Sequence, residues 1–201
     1  MQNVLFHWDR ENITPRLLIA VGSVTLTWAM IDTDISRALL LFWCQDKPDE
    51  PPPRSFDRRI ASLMRYAEAL YVNEPDERRT FRWYAQRLKQ ANGLRDSVAH
   101  GQPGKITKGR RTYFGLMVPQ PSGRTQYVPM KISDVERLAE TLGNLHAETV
   151  VVSHALWAAQ TASSPNRQSF SQIHGKWTKL TKENRSPRLP RWHPPPSTFR
   201  G

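Results

Sequence analysis

Apolar residues in the first quarter of the chain recur at alternating steps of four and three. The positions that share this spacing are Leu17, Val21, Val24, Trp28, Ile31, Ile35, Ala38 and Phe42. Such spacing keeps one face of an α-helix apolar over nearly four heptads. Thr14 precedes Pro15, which is the favoured order of an N-cap and a first helical residue. The pattern predicts one helix of about 30 residues, ended by the prolines at 48 and 51–53.

The same periodicity predicts three further helices. Ser55 caps the second of them, which ends near Asn73. The third runs from about Glu77 to His100 and stops at Gly101, which we expect at the C′ position. The fourth begins at a capping box that extends from Ser133 to Glu136.

Two β-rich runs lie between the third and fourth helices. RRTYFGLMV and RTQYVPMKI are separated by PQPSG, and this order is typical of a β-hairpin, here at about 108–132. Short connections between long helices favour antiparallel neighbours. The predicted fold is therefore all-α: an antiparallel up-down four-helix bundle that carries a β-hairpin insertion.

The excess of positive charge is concentrated at one end of the chain. The chain holds 29 basic and 18 acidic residues, a net charge of +11. Residues 163–201 contain eight of the basic residues, one acidic residue and six of the 16 prolines. This composition predicts a disordered, basic, proline-rich tail that follows a helical domain of residues 1–162. The tail is either a nucleic-acid-binding arm, with Trp177 and Trp192 stacking on bases, or a solubilising segment.

The sequence also favours a cytoplasmic protein that is not bound to a membrane. Its single cysteine, Cys44, excludes an intramolecular disulfide and a multi-cysteine zinc site. The first residues lack the pattern of a signal peptide. The longest uncharged run, from Leu17 to Ile31, is expected to be too short and too polar to span a bilayer.

Candidate chemistry is concentrated at the end of the third predicted helix, in the string GLRDSVAHG. Arg95 lies seven residues after Leu88, so a charge continues the apolar stripe and must be paired or face a cleft or a second subunit. Asp96 and His100 are four residues apart, which lets the aspartate orient the imidazole. His100 ends the helix, where its ring is accessible.

This string has the R-x(4)-H form of the HEPN superfamily (higher eukaryotes and prokaryotes nucleotide-binding). The segments WAMID at 28–32 and SFDRRI at 55–60 are also similar to bacterial HEPN proteins, and the resemblance covers roughly residues 14–160. It implies a cofactor-free, metal-independent endoribonuclease that acts as a homodimer on RNA. It further implies a toxin–antitoxin or defence system, in which an antitoxin or another protein is a partner.

The resemblance implies a role for each residue of the motif. His100 would be a general base or acid, Arg95 would stabilise the charge on phosphorus, and Asp96 would orient rather than react. The basic residues that would guide an RNA backbone into the motif are Lys105, Lys108, Arg110 and Arg111. Two alternatives stay open: a non-catalytic HEPN-like dimer that binds RNA or protein, and a simple helix-capping turn beside a solvated basic loop.

Overall fold

The computed structural model describes residues 4–8, 13–47, 49–108, 110–119 and 125–161. Four helices and four strands occupy this part of the chain. In order they are β1 (Val4–Trp8), α1 (Pro15–Asp46), α2 (Phe56–Leu70), α3 (Pro75–His100), β2 (Gln102–Lys108), β3 (Arg111–Pro119), β4 (Thr125–Pro129) and α4 (Ile132–Thr161). The four predicted helices are confirmed, whereas the sheet makes the chain mostly helical rather than all-α. The predicted tail, 163–201, lies outside the described residues.

The N-terminal residues of α1 and α2 are capped by side chains that the sequence identifies. The hydroxyl of Thr14 accepts a hydrogen bond from the amide of Leu17 at 3.2 Å, and Ser55 accepts one from the amide of Arg58 at 3.4 Å. Both residues are therefore the predicted N-caps, each satisfying an amide that has no partner within its helix.

The start of α4 differs from the prediction. The helix begins at Ile132, so Ser133 is inside it rather than capping it. The amide of Lys131 donates a 3.0 Å hydrogen bond to the carboxylate of Asp134. This is the contact that the third helical residue of a capping box makes to the N-cap residue, and it lies two residues before the predicted position. Glu136, the expected acidic member of the box, instead binds Arg16 through two contacts of 2.5 and 2.7 Å.

The described residues form two compact units. The sheet unit contains the described residues of Met1–Leu26 and Ala91–Leu142, including all four strands. The helical unit contains those of Thr27–Gln90 together with 143–161. Segments of α1, α3 and α4 occur in both units, while α2 belongs wholly to the helical unit.

Within the helical unit, α1 and α2 run in the same direction. The rings of Trp28 and Phe56 lie 4.7 Å apart near the start of α2, and those of Phe42 and Tyr66 lie 5.3 Å apart further along both helices. Partners that advance together in both sequences define parallel helices. The antiparallel order predicted for this pair is therefore wrong.

The connection between α1 and α2 explains the parallel order. From the level of Trp28 to Asp46, α1 rises about 27 Å, and the segment 47–55 must return over that length. The amide of Glu50 donates a 3.2 Å hydrogen bond to the carbonyl of Lys47, so the chain turns there before it returns. The three consecutive prolines at 51–53 favour an extended conformation for the rest of the connection. The indole of Trp43 donates a 2.8 Å hydrogen bond to the carbonyl of Glu50, which holds the segment against α1.

The other helices of this unit complete an arrangement that is not up-down. Residues later in α1 contact residues later in α4, whereas residues later in α3 contact residues earlier in α4. Helices α1, α2 and α4 therefore point one way and α3 points the other. The pairs that establish these directions are Asp34–His146 and Gln45–Gln160 for α1 with α4, and Tyr84–Thr149 and Arg87–Glu148 for α3 with α4. A connection long enough to return along a helix makes parallel neighbours possible, and residues 47–55 are such a connection.

A buried ion pair joins α3 to α4. One guanidinium nitrogen of Arg87 lies 2.5 and 2.6 Å from the two carboxylate oxygens of Glu148, whose side chain is only 3% exposed. The guanidinium also lies 4.6 Å from the ring centroid of Trp83, which is half exposed. Burial raises the pKa of Glu148, and the charge and hydrogen bonds of Arg87 oppose this shift without cancelling it.

This pKa shift predicts a pH dependence of stability. At pH values above 4.5, the ordinary pKa of a glutamate, the folded chain keeps the Glu148 proton longer than the unfolded chain. The stability that Glu148 contributes is therefore complete below that pH and is lost as the pH rises. In urea unfolding from pH 7 to pH 4, the wild type should therefore gain stability relative to Glu148→Gln. Glu136→Gln is the control of opposite sign, because the Arg16 hydrogen bond lowers the pKa of Glu136. Parallel trends in the two variants would contradict the prediction.

In the sheet unit, the four strands form an antiparallel sheet in the order β1-β2-β3-β4. The predicted hairpin is present as β3 and β4, but β1 and β2 were not predicted. The sequence did not predict β2 because Pro103 and Gly104 are residue types that favour loops. The proline is tolerated because the described pairing of β1 covers Gly104–Lys108, so among the described residues no strand pairs with Pro103 on that side.

Two glycines face each other across the middle of this sheet. Gly104 pairs with Gly115, and their missing side chains leave room for Phe6 from β1 to approach Tyr127 from β4. The two ring centroids are 6.0 Å apart, although the edge strands are separated by about three strand spacings, or ~14 Å. Ile106 lies fully buried on the same face by strand alternation.

We expect Gly115→Ala to destabilise the chain by about 1–3 kcal/mol, because an added Cβ overpacks this region. It would lie 2.5 Å from the carbonyl oxygen of Val128 and against the side chain of Ile106. Gly143→Ala is the matched control, since a Cβ there meets nothing within 4 Å and removes a flexible residue from a helix. Thermal unfolding should show a gain of up to about 1 kcal/mol for this control. Equal effects of the two substitutions would contradict the prediction.

Candidate functional site

The predicted motif occupies the last turns of α3, within the sheet unit. Arg95 lies 2.9 Å from the carboxylate of Asp96 and donates a 3.1 Å hydrogen bond to the side chain of Asn92. Its side chain is 21% exposed. The structure thus supplies the pairing that a charge on the apolar stripe requires, and it holds the guanidinium at the surface with a partly accessible edge.

His100 is the last residue of α3 and its side chain is exposed. The carboxylate of Asp96, predicted to orient the imidazole, is directed to Arg95 instead. Among the described residues, no hydrogen bond joins Asp96 to His100. The permanent charge of the guanidinium and its position next to Asp96 in the sequence account for the difference.

Gly101 fixes the junction between the motif and the sheet. A Cβ at this position would overlap the carbonyl oxygen of Ser97 and lie 3.0 Å from the side chain of Leu116. The predicted glycine stop is therefore explained here by close approach of the chain to itself. Because β2 begins at Gln102, His100 lies one residue away from the sheet. The exposed imidazole thus projects from a closely packed joint.

The four predicted RNA-binding residues do not cluster around His100. Lys105 is exposed in the middle of β2, Lys108 ends that strand, Arg110 lies in the turn, and Arg111 begins β3. The six residue steps of β2 place its far end about 20 Å from its start. An RNA backbone that used all four basic residues would therefore have to follow the hairpin away from the motif.

A second cluster, in the helical unit, was not predicted. Asp34 of α1 lies 3.1 Å from the imidazole of His146 on α4, and Arg37 lies 3.9 Å from the same carboxylate. They line an open cavity of about 290 Å³ whose other walls are Ala29, Met30 and Thr33. Asp34 and His146 are about one-fifth exposed, whereas the side chain of Arg37 is 77% exposed. The cavity thus presents a carboxylate–imidazole pair between apolar walls, beside an accessible cation.

Local sequence patterns contain no signal for this pair. Asp34 and His146 are 112 positions apart, and they meet only because α1 and α4 are parallel. The neighbouring Asp32 forms an ion pair with Arg59 of α2.

No group of three or more His, Cys, Asp or Glu side chains in the described part of the chain is arranged to hold a metal ion. No protein-family model, no curated protein and no solved structure matches this chain.

Proposed function

We propose that this protein is a metal-independent endoribonuclease of the HEPN type. The observation that supports the proposal is an exposed imidazole at the end of α3, five residues after a guanidinium held by Asp96 and Asn92. Two such groups, close in sequence and fixed to one helix end, are suited to contact a phosphodiester together. The net charge of +11 favours an anionic substrate.

The proposed reaction is transesterification. The ribose 2′-oxygen loses its proton to a general base and attacks the adjacent phosphorus, so the P–O2′ bond forms as the P–O5′ bond breaks. A general acid protonates the leaving 5′-oxygen, and the products are a 2′,3′-cyclic phosphate and a 5′-hydroxyl. His100 acts as base or acid, while Arg95 stabilises the additional negative charge on the phosphate oxygens.

One chain supplies one imidazole from this motif, whereas the reaction uses both a base and an acid. The proposed enzyme is therefore a homodimer in which each copy contributes its His100. An antitoxin or another neutralising protein, in the cytoplasm, belongs to the same proposal. Asp96 is assigned the role of positioning Arg95 rather than the imidazole, in accordance with their 2.9 Å contact.

A second candidate is a non-catalytic HEPN-like dimer that binds RNA or protein. The contact between Asp96 and Arg95 favours it, because a paired guanidinium attracts a phosphate less strongly than an unpaired one. The exposed basic residues of the β2–β3 hairpin would serve binding alone equally well.

Incubation of the purified protein with RNA, with and without EDTA, separates the two candidates. The nuclease is expected to cleave at the same rate in both samples and to leave cyclic phosphates and 5′-hydroxyl ends. Binding without cleavage would select the non-catalytic dimer. Cleavage abolished by EDTA would contradict the proposed mechanism.

A further inference from the structure

One face of the first part of α1 is apolar, and no described residue covers it. No charged residue occurs from Leu17 to Ile31. Leu17 and Val24 are buried on one side of the helix, whereas Leu18, Ile19 and Leu26 are exposed by 59%, 69% and 66% on the other. Monomeric proteins rarely leave large aliphatic side chains grouped in this way.

Gly22 lies at the centre of this exposed face. In an ideal helix, Leu18, Gly22, Leu26 and Ile19 fall within an arc of about 100°, and we call these four residues the α1 face. A Cβ on Gly22 would meet nothing within 4 Å. Glycine weakens a helix interior relative to alanine, and no packing among the described residues requires it here. Its small size becomes useful if another helix approaches closely.

We propose that the α1 face is a docking surface for the same face of a second copy, with the two helices antiparallel. A two-fold axis at Gly22 places Leu18 of each copy opposite Leu26 of the other, so the surface is complementary to itself. Because the face carries no charge, it brings no like charges together, although each chain is strongly basic. The inference depends on α1 alone and goes beyond the nuclease proposal.

A lipid bilayer is the other apolar partner to consider. By length and composition, α1 is the one helix in the described ranges that could cross a membrane, with a mean hydropathy of 1.3 over 18 residues, 28% of them buried. However, the uncharged run rises only about 22 Å, less than the ~30 Å hydrocarbon core. A helix lying in the membrane surface is typically rich in Lys and Arg, and α1 has none between Arg16 and Arg37. These features favour a second protein copy.

A stable dimer buries about 800 Å² on each partner, with an apolar centre and a polar rim. One helix strip is narrower than such an interface. The α1 face therefore corresponds to its centre, where substitutions have their largest effects.

Dimer affinity in variants of the full-length chain tests the proposal. By sedimentation equilibrium, Leu26→Glu and Gly22→Met should each raise the dimer dissociation constant by about tenfold or more. Gln90→Glu, an exposed position on α3, and Gly143→Met, where a Cβ meets no atom, are matched controls that should leave it unchanged. Melting temperatures measured at low protein concentration, where monomers prevail, should show that all four variants fold.

Cross-linking tests the antiparallel geometry. Ser23 is exposed next to the proposed axis, and Cys44 is the only cysteine of the chain. A short bis-maleimide should therefore link two copies of the Ser23→Cys, Cys44→Ser variant. The wild type, with Cys44 alone, is the control, because a two-fold axis at Gly22 separates the two Cys44 residues by about 66 Å along α1. Cross-linking through Cys44 as efficient as through residue 23 would exclude the antiparallel arrangement.

Three other results would overturn the proposal. The first is a chain that stays monomeric at every concentration up to about 100 μM. Its dimer dissociation constant would then be above that value, which is too weak for a stable dimer. The second is a dimer insensitive to both Leu26→Glu and Gly22→Met. The third is a monomeric chain that sediments with phosphatidylcholine–phosphatidylserine vesicles and no longer does so when Leu26→Glu is introduced. This result would show that the α1 face binds lipid. A monomer at every concentration would also contradict the nuclease proposal, which requires a dimer, whereas a dimer insensitive to both substitutions or a chain bound to vesicles would bear on the α1 face alone.

Discussion

Replacing Arg87 with methionine is expected to lower the free energy of unfolding by about 3–5 kcal/mol. The substitution leaves the Glu148 carboxylate, which is 3% exposed, without the guanidinium that neutralises it. Urea unfolding at pH 7 measures the loss. Arg82→Met on the same helix is the matched control, because the Arg82–Glu68 pair is largely exposed and should contribute at most about 1 kcal/mol.

A double variant shows whether the loss in Arg87→Met comes from the unpaired charge. Arg87→Met combined with Glu148→Met should recover most of the stability, since apolar residues of similar size commonly replace a buried ion pair at little cost. If the double variant were as unstable as Arg87→Met alone, the loss would come from packing around Trp83 rather than from charge. A loss of less than about 1 kcal/mol in Arg87→Met would show that Glu148 is solvated in solution.

His100→Ala is expected to reduce RNA cleavage by about 10²–10⁴-fold through the loss of proton transfer. Arg95→Lys should also reduce cleavage strongly, because an ammonium does not reproduce the planar guanidinium on a phosphate. His154→Ala is the control, since this histidine is also exposed on a helix but lies on α4 outside the motif. Initial rates on one RNA, measured with the same preparations used for thermal unfolding, provide the comparison.

The stability of the same variants separates catalysis from capping. His100 is exposed at a helix end, so His100→Ala should change the free energy of unfolding by no more than about 1 kcal/mol, the size of a helix-dipole interaction. If His100→Ala cleaved RNA as fast as the wild type, the nuclease proposal would fail and the non-catalytic dimer would replace it.

Local signals in the sequence predicted the helices well. Thr14 and Ser55 cap α1 and α2 as expected, because an N-cap depends on atoms within three residues. The hydrophobic stripes also identified the buried faces, since burial follows the helical period. The start of α4 was misplaced because Asp134 and Glu136 both suit an N-terminal turn, and a partner outside the helix, Arg16, binds Glu136.

Features that depend on distant contacts were not predicted. The direction of α2 relative to α1 depends on how a proline-rich connection lies against a helix, and the hydrophobic period of the helices carries no information about that. The pair of Asp34 and His146 follows from that arrangement of helices. At the motif, spacing correctly brought Arg95, Asp96 and His100 to one helix end, but the partner of Asp96 was decided by competition between two neighbours.

The length of the connection at residues 47–55 determines where α2 lies along α1 in the helical unit. Most surface loops tolerate changes of length in both directions, because loop closure costs little extra for added residues. Here the prolines that follow the turn at Lys47–Glu50 favour an extended chain, so each residue deleted from 51–55 would pull α2 along α1 by about 3 Å, and two deletions would displace it by roughly one helical turn. Trp28 would then face a different part of α2 than Phe56. In evolutionary terms, insertions into this segment should accumulate freely among descendants of this sequence, whereas deletions should be removed by selection.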